Sequence, residues 1–233
     1  MNADRDPAAA MASAMHEERL DAVMAVLRDA VARGDAVARG SAERETEGGS
    51  VLDLGCGSGV LLTRLLGDGR FQPIVGIDSD RQELATARRR LEADHGVTAA
   101  RRVILHEGSF AVADPRLAGF DAAAMVETIE HIDPDRLSTV ERAVFGCYRP
   151  RTLVMTTPNR EYNPLLNMRP GKRRHPDHRF EWDRARFSGW AAGVARRNGY
   201  TVTVAGVGVA HPALGCATQI AVFTLAGETR ARE

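Results

Sequence analysis

The chain has 233 residues, 44% of them hydrophobic, and its Lys plus Arg and Asp plus Glu each number 31, so the formal net charge is zero. That length supports one sizeable core and is marginal for two, and the balanced charge leaves any nucleic-acid affinity to local clustering. No apolar run of about 18 residues occurs, which argues against a membrane span; the acid-bearing N-terminal stretch does not read as a secretory signal, and the scattered Cys56, Cys147 and Cys216 suggest neither a zinc site nor a disulfide framework. A cytoplasmic protein is expected.

Residues 1–12 are expected to be disordered and 13–227 to form a single domain. Over 13–32, Met15, Leu20, Val23, Met24 and Leu27 recur at helical spacing. A polar, glycine-rich linker over 34–49 leads to Val51-Leu52-Asp53-Leu54, short and apolar as a buried parallel strand should be. Strand-like and helix-like segments then alternate: strand 51–54, helix 59–67, strand 73–77, helix 80–92, strands 102–106 and 121–126, helix 134–147, strand 151–156. A long polar loop over 158–182 precedes a helix at 183–197 and strands at 201–207 and 218–225. The alternation predicts an α/β, Rossmann-like doubly wound sheet. The last two strands have no crossover helix between them, which predicts an antiparallel C-terminal hairpin.

The turn Gly55-Cys56-Gly57-Ser58-Gly59 joins the first strand to a helix, at the strand end where doubly wound sheets bind ligands. Glycines let the backbone approach a ligand, and Asp78, ending the second apolar run, is placed to accept from ribose hydroxyls. A nucleoside is indicated. With Asp53 ahead of it, the G-x-G-x-G turn resembles motif I of the class I S-adenosylmethionine methyltransferases. The resemblance implies that Asp53 belongs to the S-adenosyl-L-methionine site, that the backbone at Gly55 and Gly57 approaches the methionine part of that cofactor, that Asp78 holds its ribose and that Ser109 touches its adenine. It also implies the C-terminal hairpin.

After the fourth strand comes Glu127-Thr128-Ile129-Glu130-His131. If the chain turns helical there, Glu127, Glu130 and His131 share one face at i, i+3 and i+4. Two carboxylates and an imidazole at a strand's carboxyl end suit a divalent ion such as Mn²⁺, Mg²⁺ or Co²⁺, with a fourth ligand from the loop His175-Pro176-Asp177-His178-Arg179-Phe180-Glu181-Trp182. The competing reading is a solvated helix start beside surface histidines.

These strings, with Thr156-Thr157-Pro158-Asn159, Glu161-Tyr162-Asn163 and the tail 218–223, resemble in order the HEN-type small-RNA 3′-terminal 2′-O-methyltransferases. The resemblance implies metal binding by Glu127, Glu130, His131 and one later histidine, with His178 favoured over His175. It implies metal-assisted methylation of the 2′-hydroxyl of an RNA 3′ end carrying a free 2′,3′-diol, because a cation on both oxygens acidifies the nucleophile and measures the end. Arg149, Arg151, Arg160, Arg169, Lys172, Arg173, Arg174 and Arg179 are candidates for phosphate contacts, and Phe180 and Trp182 either stack on a base or pack the loop. Bacterial relatives often carry a further N-terminal domain that works with an RNA-repair partner, so such a partner protein is an expectation; the Phe-x-Pro-Pro block of relatives is not evident ahead of the turn. Two alternatives remain: a methyltransferase acting on a small-molecule hydroxyl or amine without metal, and a non-catalytic RNA-repair partner module.

Overall fold

The computed structural model describes residues 7–38 and 48–227. Its apolar runs become seven strands of one sheet: β1 (Gly49–Leu54), β2 (Phe71–Asp78), β3 (Val103–Glu107), β4 (Ala122–Val126), β5 (Thr152–Pro158), β6 (Tyr200–Val207) and β7 (Thr218–Leu225). Their order is β3-β2-β1-β4-β5-β7-β6. The first five are mutually parallel, and β7 runs antiparallel between β5 and β6. This is a Rossmann-like doubly wound sheet ending in the expected antiparallel C-terminal hairpin. Strand order reverses between β1 and β4, so a crevice opens at their carboxyl ends, where such sheets bind ligands.

Alternate residues of the central strands enter opposite layers. Leu52, Leu54, Ala123, Met125, Leu153 and Met155 join the core built with Phe145, Phe187 and Phe223. Val51, Ala122, Ala124 and Val154 face the core built with Leu20, Val23, Leu27 and Leu62. Both faces are covered, which is why these strands read as nearly continuous apolar runs.

The covering helices are α1 (Pro7–Ala38), α2 (Val60–Gly67), α3 (Arg81–Ala100), α4 (Leu137–Glu141, continued by π-helical turns over Arg142–Tyr148) and α5 (Arg184–Asn198). Asp80 caps α3 by accepting from the Gln82 and Glu83 N–H groups, and Asp183 caps α5 by accepting from Arg186 N–H. Among the described residues no helix is long and apolar enough to cross a membrane.

Three differences from the sequence reading have local causes. Helix α1 begins at Pro7, so residues 7–12 are helical where disorder was expected; its first turns are alanine-rich, and alanine forms helix without needing a buried face. The expected linker is helical to Ala38, residues 39–47 lie outside the described residues, and so do residues 1–6. Helix α3 continues to Ala100 across a kink at Gly96, whose positive φ of 81° breaks the regular spacing that the sequence reading followed. The loop 158–182 is anchored by a 3₁₀ segment, Arg160–Leu166, and by a bridge between Asn159 and Trp182.

Candidate active site

The glycine turn is built by its backbone. The N–H groups of Gly55 and Cys56 both donate to the Ile77 carbonyl, at 2.8 and 2.9 Å, which clamps the turn to the end of β2. Gly55 adopts φ 81°, and a Cβ there would lie 2.6 Å from Thr128 Cγ2; at Gly59, φ 78°, it would lie 2.8 Å from Ala87 Cβ. Any other residue at either position would collide as well as strain the backbone. Asp78 accepts from Gly57 N–H at 2.8 Å and from Asp80 N–H at 2.9 Å. Its carboxylate therefore braces the turn and keeps lone pairs for a ligand.

A cavity of about 370 Å³ opens over this turn, lined by Gly55, Asp78, Ser109, Phe110, Glu127 and His131 among others. That is the size of a small-molecule site. Ser109 Oγ accepts from Ala111 N–H inside its own loop. Asp53 lies beneath, 2% exposed; burial, reinforced by the nearby charge of Asp78, pushes its carboxyl up to about 7.

The second half of the site starts where β4 ends. Glu127 takes a left-handed φ of 51°, held by hydrogen bonds from its N–H to the carbonyl and hydroxyl oxygens of Thr156. Only Ile129–His131 are helical, in a single 3₁₀ turn. The expected helical face of Glu127, Glu130 and His131 is thus corrected: the reversal at Glu127 takes it off the axis shared by the other two. Glu130 is fully buried, and its Oε2 accepts from Thr157 Oγ1 at 3.0 Å. Burial, then the Glu127 charge, raise its pKa well above the usual carboxylate range.

The distant loop is brought over this turn by a hydrogen bond of 2.7 Å from Arg179 N–H to the Glu130 carbonyl. His178 is thereby buried beside His131, with ring centroids 4.9 Å apart. Ligand atoms of Glu130, His131 and His178 all lie within 4.8 Å of one another. His178 Nδ1 is 2.7 Å from Glu181 Oε1, leaving Nε2 for other duty. Burial opposes ionisation of Glu181, but hydrogen bonds from His178, Asn163 and the Arg174 N–H outweigh it and hold its pKa below the usual range. Burial, with the neighbouring His178 and His175, lowers the pKa of His131 and favours its neutral, metal-binding form. His175 is exposed, 6.0 Å from the His131 ring, and outside the cluster.

Glu127 lies beside the cluster and outside it. Its Oε1 is 3.4 Å from Arg19 Nε of α1. Among the described residues, the buried side-chain oxygens without a hydrogen-bond partner are Asp53 Oδ2, Glu127 Oε1, Thr128 Oγ1, Glu130 Oε1 and Gln219 Oε1. All but the last sit at the carboxyl ends of β1 and β4. Glu127 Oε1 already faces the Arg19 cation, whereas Glu130 Oε1 is buried with no hydrogen-bond or ionic partner among the described residues; such an oxygen is costly, and a bound cation is a way to satisfy it. The donor set of two imidazoles and carboxylate, with one histidine backed by a second carboxylate, fits a divalent metal on chemical grounds.

Glu181, Asn163 and Arg19 were not singled out from the sequence. Glu181 could have been, since it stands three residues after His178 in the same string; Arg19 arrives through packing of α1, which leaves no local signal. Arg174, a candidate phosphate contact, is corrected to a partly buried brace that donates to Asn163 Oδ1 and the Asn159 carbonyl. Arg160 and Arg179 are paired with Asp183 and Asp133. Phe180 and Trp182 are buried and stacked on each other at 4.2 Å, so they pack the loop.

Residues 51–151 match the methyltransferase domain family. The small RNA 2′-O-methyltransferase of Gallus gallus is 39% identical over 190 residues, covering 77% of this chain and 50% of that protein. The solved methyltransferase domain of a bacterial protein, CtHen1, is 37% identical and superposes with a TM-score of 0.75 over 91% of this chain and 100% of that one. This chain belongs to the HEN-type small-RNA 2′-O-methyltransferase family. The solved small RNA methyltransferase HEN1 is 30% identical, with a TM-score of 0.75 over 94% of this chain and 27% of the longer one. The chain thus spans about half the length of the curated relative it matches in Gallus gallus.

Proposed function

We infer that this chain transfers the methyl group of S-adenosylmethionine to the 2′-hydroxyl of an RNA 3′-terminal nucleotide with the help of a divalent metal. The carrying observation is that one cavity runs from Gly55, Asp78 and Ser109 to Glu127 and His131, so donor and cation would meet in one space. Asp78 would hold the donor's ribose and the Gly55 and Gly57 backbone its methionine portion, while Ser109 borders the adenine end. Glu130, His131 and His178 would hold the metal, with Glu127 joining them on release from Arg19. A divalent cation there supplies Lewis acidity that favours loss of a ribose hydroxyl proton.

The remaining work falls to the protein's own groups. Glu181 fixes the tautomer and ring orientation of His178, Thr157 holds one oxygen of Glu130, and water or the exposed His175 would take the proton to solvent. Gly55 against Thr128 keeps the donor turn and the 3₁₀ turn at contact distance, which is the alignment a bimolecular transfer needs. An RNA-repair partner would enter as a supplier of substrate rather than of ligands, because turn and cluster are both built from this chain.

The test incubates the protein with labelled S-adenosylmethionine and RNAs of varied sequence ending in 3′-OH, 3′-phosphate or 2′-deoxy, with and without EDTA. Methylation of the 3′-OH RNA alone, lost in EDTA, is expected. Full methylation of the 3′-OH RNA in EDTA would remove the metal from the reading, S-adenosylmethionine binding without methylation of any RNA would move it to small-molecule methylation, and absence of S-adenosylmethionine binding would leave only the non-catalytic alternative.

A further inference from the structure

The two edges of the sheet are finished differently. At the β3 edge the strand has five residues and carries His106 and Glu107; Glu107 is paired with Arg81, and Arg88 donates to the Val103 carbonyl. The β6 edge, Tyr200–Val207, has eight residues with no charge and no proline, and it pairs with β7 without a register shift. Ala226 N–H donates to the Gly199 carbonyl, so every second residue from there, Thr201, Thr203, Ala205 and Val207, bonds to β7. Val202, Val204 and Gly206 therefore turn their N–H and C=O groups away from the sheet. Residues 203–206 are exposed. A long uncharged edge is a template for another strand unless it is blunted or covered.

A groove of about 320 Å³ runs beside that edge, between β6 and α5, with Arg184, Ser188, Val204, Gly206, Cys216 and Gln219 among its walls. It shares no lining residue with the cavity over the glycine turn. Gln219 lies directly across from Gly206 on the same face of the sheet and is 2% exposed. Its Nε2 is spent on the carbonyls of Pro158 and Trp182, and its Oε1 is buried without a hydrogen-bond partner. Arg184 is held by Glu161 and by the Ala213 carbonyl, so the groove offers an acceptor and a neutral wall rather than a free cation.

We propose that the β6 edge and this groove dock an extended segment of a partner protein, which adds a strand to the sheet and directs an asparagine or glutamine side chain at Gln219 Oε1. The outward groups of Val202, Val204 and Gly206 supply the main-chain bonds, and the groove reads one side chain, which is how edge-strand docking divides affinity from specificity. A second copy of this chain fits less well. Val202 packs with the core beneath α5, so the residues that a second β6 would present on this face are Val202, Val204 and Gly206, none of which carries a side-chain donor for Gln219.

The experiment uses capped, labelled heptapeptides in which valine and threonine alternate around a central residue varied among glutamine, asparagine, leucine and glutamate. Binding is read by fluorescence anisotropy, with S-adenosylmethionine affinity as the check on folding and sedimentation as the check on self-association. Glutamine- or asparagine-centred peptides should bind, and the leucine-centred one about tenfold more weakly, within the range for a buried acceptor left unpaired. N-methylation of one alternate set of peptide amides should abolish binding, and of the other set should leave it within about twofold, because a strand bonds to its neighbour through every second residue. Val204→Pro removes an outward N–H without touching the β7 ladder, and Ser188→Trp fills the groove from α5; each should lose the peptide and keep S-adenosylmethionine affinity. Binding by no member of the set, or binding indifferent to the central residue and to the methylated amides, would overturn the proposal. So would displacement of the peptide by a short RNA, or a dimer of the natural chain that Val204→Pro dissociates, since these would give the edge to RNA or to a second copy.

Discussion

The two halves of the site are made differently. Around Gly55–Gly59 the turn is held by its own backbone donors: Gly55 and Cys56 N–H to the Ile77 carbonyl, Gly57 N–H to the Asp78 carboxylate and Gly59 N–H to the Cys56 carbonyl. Around Glu127–His131 the cluster is held by buried side chains, and it keeps Glu127 Oε1 and Glu130 Oε1 without hydrogen-bond partners. The first half is a cradle shaped mainly by backbone. The second concentrates carboxylate charge that burial makes expensive, so a cation there would both satisfy the site and stabilise the fold around it.

If that contrast holds, the largest effect comes from emptying the second half while leaving the first intact. His178→Ala, Glu130→Gln and chelation should each lower methyl transfer by more than about 100-fold, beyond the 10–100-fold typical of groups that only orient a ligand. S-adenosylmethionine affinity, measured by calorimetry, should stay within about twofold. Donor binding that falls in parallel with transfer would show that the halves are one structural unit. A smaller loss is expected for Glu181→Gln, which keeps a hydrogen bond to His178 Nδ1 but removes the charge: about 10–100-fold weaker Mn²⁺ binding by paramagnetic resonance, with kcat recovering at high Mn²⁺. A kcat that stays low under saturating metal would give Glu181 a role beyond holding the ring.

The first half is probed by Asp78→Ala, which removes both the brace on the turn and the expected ribose contact. Donor binding should weaken by roughly 1–3 kcal/mol, the range for a lost charged hydrogen bond. Asp78→Asn retains one acceptor oxygen and should fall between. Metal affinity should not change in either variant.

The same contrast decides what was legible in the sequence. Runs such as Val51–Leu54 and the glycines at 55, 57 and 59 announce strand, turn and helix because their causes are local: burial on both faces and positive φ. The resemblance favours His178 over His175, and the fold buries His178 beside Glu130 and His131. The way the cluster is assembled was not legible. Glu130 is placed by Thr157 on β5 and by the backbone of Arg179, and Glu127 meets Arg19 from α1, so each geometry depends on a partner distant in sequence. A helical-face argument at i, i+3 and i+4 assumes a continuous helix, and one left-handed residue at Glu127 is enough to defeat it.

A last test sharpens the contrast at Asp53, the buried carboxyl beneath the first half, through the pH dependence of stability rather than through binding or transfer. Its folded-state pKa of about 7 lies above the ordinary 3.8, raised by burial and then by Asp78. The folded chain therefore keeps a proton that the unfolded chain releases. Below pH of about 4 both states are protonated and the group is neutral to stability; between about 4 and 7 stability falls as pH rises, by at most about 1.4 kcal/mol per pH unit for one proton; above about 7 both states are ionised and the loss is complete. Other groups titrate in this window, so the measurement is the difference between the natural chain and Asp53→Asn in urea unfolding from pH 4 to 8. The Asn variant should gain on the natural chain steadily up to pH 7 and no further. A difference that stays flat would mean that Asp53 ionises in the fold as readily as in water, and that the cradle is less dry than its burial implies.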